Sequence, residues 1–329
     1  MLNEKLQLNQ EIFAETTEMV SIRDGLQDAL LELGEKNKDI VVLTADLRDS
    51  VNIGEFAKRF PERFFECGVA EQNMVGVASG LAASGKIPFI ASYAVFSPGR
   101  NWEQIRTTVC YNNVPVKIIG AHAGLMTGPD GATHQALEDI ALMRTLPNMT
   151  VFTPCDYNET VKVIGAIAQT RDPAYVRLVR PKTPRITTQA TPFDIGRAYV
   201  VWEHESPVTS IIVSGPMVYY ALCAARSLAS ENIFTEVLHI PTIKPLDAKT
   251  VIDHGHVSRA FVILEDHQVS GGLGGAVSEL CAREYPLPIE FVGVQDRFGE
   301  SGKPEELLDK YGLHTEDIAE AVKRVIKRK

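Results

Sequence analysis

Two short apolar runs, Pro88-Phe-Ile-Ala-Ser-Tyr93 and Val114-Pro-Val-Lys-Ile-Ile-Gly120, flank a segment from Trp102 to Tyr111 patterned as a helix. Both runs are nearly continuous rather than alternating, the pattern of strands covered on both faces. Two such strands joined by a helix form a parallel crossover unit. The same rhythm extends outward in both directions. A helix opens at Ser21 and runs to about Gly34, with Asp24 in place of the usual capping-box Glu or Gln. Asp39 to Thr44 reads as a buried strand, Phe64 to Cys67 as a weaker one and Glu71 to Ser84 as a helix covered nearly all round. Beyond Gly120 come a helix at Ala136–Arg144, a strand at Thr150–Thr153, a helix at Tyr157–Thr170 and a strand at Ala174–Val179. Strands spaced by helical segments of about 10–15 residues predict a parallel sheet with helices on both faces.

Residues Arg180 to Phe193 carry three Pro and four Thr with little periodicity, and read as a linker. A second, smaller α/β pattern follows. Its strands are expected near 198–202, 209–213, 235–238, 260–264 and 290–293, and its helices near 217–228, 248–254, 272–281 and 315–327. The expected fold is α/β: two doubly wound domains, residues 1–190 and 191–329, with mostly parallel sheets flanked by helices.

The composition narrows the function classes. With 329 residues, 45 % hydrophobic and 23 % charged, the chain is an ordinary globular sequence. A net charge of −9, with its only dense basic stretch in the tail from Lys323 to Lys329, argues against tracking a nucleic-acid backbone. No apolar run is long enough to span a membrane. The start, Met1-Leu-Asn-Glu-Lys5, is not the pattern of a signal peptide. Five scattered Cys without a Cys-x-x-Cys pair fit reduced thiols in a cytoplasmic enzyme.

Polar chemistry concentrates in His122-Ala-Gly-Leu-Met-Thr-Gly-Pro-Asp130-Gly-Ala-Thr-His134-Gln, directly after a strand. In an open parallel sheet the ligand crevice lies beyond the carboxyl ends of the strands. Two His and one Asp on a Gly-rich loop there can serve a polyhydroxylated substrate, although capping polar groups on a surface loop give the same pattern. Glu71 opens a helix, ordinarily just a favourable partner for the helix dipole. The apolar, small-residue run from Val75 to Ala83 predicts instead that its carboxyl is desolvated and its pKa raised, which suits a proton relay. Asp130-Gly131 followed by Asn158 imitates a divalent-metal and diphosphate motif, but Pro129 breaks it. The glycines of Ser270-Gly-Gly-Leu-Gly-Gly275 miss the dinucleotide spacing and read as tight helix–sheet packing.

Taken together, Thr44-Ala-Asp46-Leu, Glu66-Cys-Gly-Val-Ala-Glu71-Gln, Gly128-Pro-Asp130-Gly-Ala-Thr-His134-Gln, Leu146-Pro-Asn148 and Glu265-Asp-His-Gln-Val-Ser-Gly-Gly-Leu-Gly274 carry a resemblance over about residues 20–329. The chain resembles the C-terminal half of transketolase-type thiamine-diphosphate enzymes. The resemblance implies that Glu71 exchanges a proton with the cofactor's aminopyrimidine ring, that Phe96 stacks on that ring and that Tyr93 forms a neighbouring wall. It implies a grip on a substrate phosphate by Arg23, Ser50, His122 and Arg180, a hydrogen bond from Asp130 to a sugar hydroxyl, and His134 near the donor carbonyl end.

The family's N-terminal domain, with its site for Mg²⁺ and the diphosphate, has no counterpart in this sequence. The resemblance is therefore to the second subunit of a split transketolase. It implies a partner subunit holding most of the thiamine diphosphate and its Mg²⁺, an α₂β₂ heterotetramer, and a sugar phosphate or related anionic sugar as substrate. Branched or sulfonated sugars fit the same grip. Two alternatives stay open: the β subunit of a 2-oxoacid dehydrogenase, which shares the domain pair, and a non-catalytic partner subunit. The anion grip favours the sugar reading over the first, and an intact Glu71 and Phe96 argue against the second.

Overall fold

The computed structural model describes residues 1–329 and gathers the apolar runs into two sheets. In chain order the first half contains β1 (Met19–Ser21), α1 (Ile22–Lys36), β2 (Ile40–Thr44), α2 (Gly54–Arg59), β3 (Phe64–Glu66), α3 (Glu71–Ala83) and β4 (Ile87–Tyr93). It continues with α4 (Trp102–Gln104), β5 (Lys117–Ala121), α5 (Asp139–Arg144), β6 (Thr150–Phe152), α6 (Tyr157–Ile167), β7 (Ala174–Arg177) and β8 (Lys182–Pro184). The second half supplies β9 (Tyr199–Trp202), β10 (Ser210–Val213), α7 (Val218–Ser230), β11 (Glu236–His239), β12 (Thr242–Lys244), α8 (Ala248–Ser258), β13 (Phe261–Gln268), α9 (Leu273–Glu284), β14 (Ile289–Val294), α10 (Pro304–Tyr311) and α11 (Thr315–Ile326).

The larger sheet runs β12-β6-β7-β5-β4-β2-β3 and is parallel except for β12, which pairs antiparallel with β6. The smaller runs β14-β13-β10-β11-β9, parallel except for β9. Every residue of β2 and β5 is buried, as continuous apolar runs require when helices cover both faces. Ser21 caps α1 by accepting the Arg23 amide. Gly25 lets α1 lie against α6, because a Cβ there would stand 2.6 Å from the Tyr157 carbonyl oxygen.

Several sequence expectations change in detail. The helix expected at Trp102–Tyr111 continues from α4 as a π-helical stretch, Ile105–Cys110. The helix expected from Ala136 starts at Asp139, because Ala136 bridges back to Ala123. Part of the expected linker forms β8, which pairs antiparallel with β1. Helix α3 is not covered all round: Gln72, Asn73, Gly76, Val77, Gly80 and Ala83 form an exposed face along it. Small and apolar residues that signalled a core helix here leave one face exposed. The glycines of 270–275 do pack tightly: a Cβ on Gly272 would meet Glu265, and one on Gly274 would meet Phe291.

The two sheets are knitted together. β12 leaves the second half to extend the first sheet, and Asn3 in turn binds the Val200 and Val201 carbonyls near β9. At the junction the buried Glu159 of α6 accepts His239 Nε2 of β11 at 2.8 Å and the Cys155 amide at 2.7 Å. Burial opposes the charge on Glu159, but His239 and these hydrogen bonds outweigh it and hold the carboxyl below its ordinary value. A buried carboxylate stripped of its partner is costly. His239→Ala should therefore lower the unfolding free energy by about 3–5 kcal/mol in urea titrations. Because the folded-state pKa is lowered, this stabilisation is present above the ordinary value of 4.5 and is lost as pH falls through the lower folded-state value. The gap between native and variant should thus close on acidification. A gap that stays constant through the acid range would contradict the role of His239 in holding the Glu159 carboxyl low.

Candidate active site

A parallel sheet delivers the carboxyl ends of its strands to one edge, and the predicted residues follow those ends. Ser50 comes after β2, Glu71 after β3, Phe96 after β4, His122 after β5 and Arg180 after β7; Arg23 sits on the first turn of α1. Tyr93 is the last residue of β4, and Asp130 and His134 lie on the loop that follows β5.

An aromatic cluster occupies the centre of this edge. The Tyr93 ring lies 3.9 Å from that of His122 at an interplanar angle of 17°, and 5.8 Å from Phe96 at 8°. His134 meets Phe96 edge-on at 5.4 Å and Tyr93 at 6.0 Å. His122 is buried, and its Nδ1 has no hydrogen-bond partner. Burial first, then the charges of Arg23 and Arg180 and the neighbouring His134, lower its pKa to about 3. The imidazole is therefore neutral at working pH, with one buried nitrogen available to a ligand. His122 also adopts a left-handed backbone at φ 52°, a conformation that costs a non-glycine residue on the order of 1–3 kcal/mol.

The two arginines flank this cluster. Arg23 donates to the carbonyls of Ser50 and Arg180, the latter at 3.0 Å, while its buried Nε has no partner. Burial pulls the Arg23 pKa below its ordinary value, and Arg180 pulls it further, whereas Asp24 opposes the shift. Arg180 donates to the Thr127 carbonyl at 3.0 Å and makes a longer contact with Asp130 at 3.4 Å. Ser50 thus meets Arg23 through its carbonyl oxygen.

Glu71 departs from the expectation of a dry acid. It is buried, but the half-exposed Arg100 donates to its Oε1 at 2.9 Å. The same guanidinium lies 4.1 Å from the centre of the Phe96 ring. Asn101 reinforces the arrangement by donating to the Glu71 carbonyl at 3.1 Å. Sequence reasoning missed Arg100. Its position four residues after Phe96 was the available signal, since the turn that follows β4 bonds the Arg100 amide to the Phe96 carbonyl. Val69, Ala70, Glu71, Gln72, Asn73 and Arg100 line an open cavity of about 560 Å³. The imitation metal motif does not assemble: Asn158 binds the Thr187 carbonyl, and Asp130 faces Arg180. A carboxyl beside an aromatic wall, with an unpartnered imidazole nitrogen further along, fits a flat heteroaromatic group and an anionic substrate. The one cluster of potential metal ligands, Cys155, Glu159 and His239, lies at the junction of the two halves and includes none of these residues.

The model for the transketolase pyrimidine-binding domain matches residues 18–185, and that for the transketolase C-terminal domain matches residues 198–318. A transketolase C-terminal section from Methanocaldococcus jannaschii is 44 % identical over 93 % of this chain and 96 % of its own length. A 6-deoxy-6-sulfo-D-fructose transketolase subunit from a Clostridium species is 38 % identical, covering 94 % of this chain and 95 % of its own. One of the subunits of an apulose-4-phosphate transketolase from Phocaeicola vulgatus is 36 % identical, covering 94 % of this chain and 99 % of its own. Among solved structures, a split-gene transketolase described as an inactive β4 tetramer superposes with a TM-score of 0.87 at 44 % identity, over 94 % of this chain and 99 % of its own. The chain belongs to the transketolase family, carries its pyrimidine-binding and C-terminal domains on one polypeptide, and is similar to C-terminal sections of the split form over nearly their whole length.

Proposed function

We propose that this chain is the C-terminal subunit of a split transketolase that moves a two-carbon ketol unit from an anionic ketose to an aldehyde. The observation that carries the reading is the convergence of Arg23, Arg180 and the unpartnered His122 nitrogen beside the Tyr93–Phe96 wall and Glu71. A 2-oxoacid needs no such remote cationic grip, whereas a phosphorylated or sulfonated sugar does. The named substrates of the Clostridium and Phocaeicola relatives, a sulfonated and a phosphorylated sugar, support an anionic sugar as the class.

Thiamine diphosphate, on which the family depends, supplies the nucleophilic carbon and the electron sink for breaking and remaking the carbon–carbon bond. This chain's part is to hold and orient. Phe96 and Tyr93 would offer the flat wall for the pyrimidine ring, and Glu71 would hold or move a proton through its carboxyl oxygen. Arg23, Ser50, His122 and Arg180 would bind the terminal anion, Asp130 a sugar hydroxyl, and His134 would stand at the reacting end. A partner subunit would hold the diphosphate and Mg²⁺. The exposed face of α3, where a Cβ added at Gly76 or Gly80 would meet open space, supports close packing against another chain. The β4 assembly of the 44 %-identical neighbour supports self-association, and an α₂β₂ complex combines the two contacts.

Two substitutions in the reconstituted complex test the roles. Glu71→Gln preserves shape and removes the proton, so ketol transfer should fall by at least ~10²-fold while cofactor affinity changes less. Turnover at the native rate would reduce Glu71 to a helix-opening acid. Arg180→Ala should raise KM for a phosphorylated donor, with a loss of roughly tenfold to a hundredfold in kcat/KM. A free ketose should scarcely respond, because it does not reach the grip. Equal losses on both donors would assign Arg180 to the fold through its bond to Thr127.

A further inference from the structure

The loop from His122 to Gln135 carries three of the proposed substrate groups, yet its backbone is fastened from the other sheet. Asp266, near the end of β13, is buried, and its carboxylate accepts the Leu125 amide at 2.8 Å and the Met126 amide at 3.4 Å. The chain passes directly over that carboxylate. A Cβ on Gly124, which sits at φ 79°, would collide with Asp266 Oδ2. The other foot of the loop is tied to the same residue. Arg177 donates to the Asp266 carbonyl at 2.6 Å and to the Ala136 carbonyl at 3.4 Å, while its Nε pairs with Asp139 at 3.0 Å. Further along, Gln135 Nε2 donates to the Glu300 carbonyl at 2.9 Å. All these partners in the second half of the chain lie outside the proposed substrate-contact set.

We infer that Asp266 is a positioning residue of the active site: by holding the Leu125 and Met126 amides it fixes where the loop presents His122, Asp130 and His134 to the anionic substrate. The inference rests on the proposed function. A carboxylate holds buried amides more firmly than a neutral acceptor does, and a site displaced by about 1 Å can lose on the order of 10²-fold in rate. This gives the C-terminal domain a role in the chemistry although it supplies none of the proposed contacts.

The test compares Asp266→Asn with Val262→Ala, a core truncation on the same strand that removes no hydrogen bond to the loop. In the full chain, amide hydrogen exchange at Leu125 and Met126 should quicken about tenfold or more in Asp266→Asn and hold steady in Val262→Ala. In the reconstituted complex, KM for a phosphorylated ketose should rise about tenfold in Asp266→Asn, more than kcat falls, with no such split in Val262→Ala. Unchanged exchange at the two amides, or the same KM rise in a Val262→Ala protein of equal thermal stability, would overturn the inference. If the native pair transfers no ketol group while Asp266→Asn still frees the loop, the functional reading falls and only the anchor stands.

Discussion

The active edge depends on a buried arginine. Arg177, at the end of β7, pairs with Asp139 at the start of α5 and reaches the carbonyls of Ala136 and Asp266. Parallel strands bring Ser50, Glu71, Phe96, His122 and Arg180 to a common rim, but a rim only gathers residues. A buried charge with fixed partners pins the exit of the loop that carries His122, Asp130 and His134 to the second half of the chain. Ion pairs of this kind add little net stability, because desolvation offsets the Coulomb gain. Their geometric demand is strict, and here it couples a strand, a loop exit and the second domain.

Around that frame the proposed substrate groups are partly satisfied by one another. Arg180 directs one nitrogen, Nη1, to Thr127 and Asp130, and Arg100 lies across Phe96 and Glu71. His122 keeps an unpartnered nitrogen in a strained backbone conformation. Strain and unpaired polar atoms of this sort collect where a ligand is to supply the missing contact. The cationic character of the grip does not depend on His122, whose imidazole is neutral above about pH 3. The positive charge comes from the two arginines.

Most of the architecture was legible in the sequence because buried parallel strands leave an unambiguous mark. β2, β4, β5 and β7 follow continuous apolar runs, and the helices between them have the spacing of crossover units. What escaped has physical reasons. β12 is three residues long and takes its partner from the other half of the chain, so no local pattern announces it. The exposed face of α3 carries the same small residues as a buried one, so composition alone does not separate the two. Arg100 was hidden because a lone exposed arginine is ordinary until the turn after β4 folds it over Phe96. The loop anchor was half visible: Glu265-Asp-His stood out as a motif, but the meeting of Asp266 with Leu125 is a contact across 141 positions.

The central claim is that the chain contributes half of a ketol-transfer site and completes it with a partner that holds the diphosphate. The most direct measurement is turnover of a phosphorylated ketose with an aldose acceptor, thiamine diphosphate and Mg²⁺, by this chain alone and then with the N-terminal subunit added. The account predicts negligible transfer alone, robust transfer by the pair, and no release of carbon dioxide. Transfer by the isolated chain, or a pair that decarboxylates 2-oxoacids and ignores sugar phosphates, would contradict it.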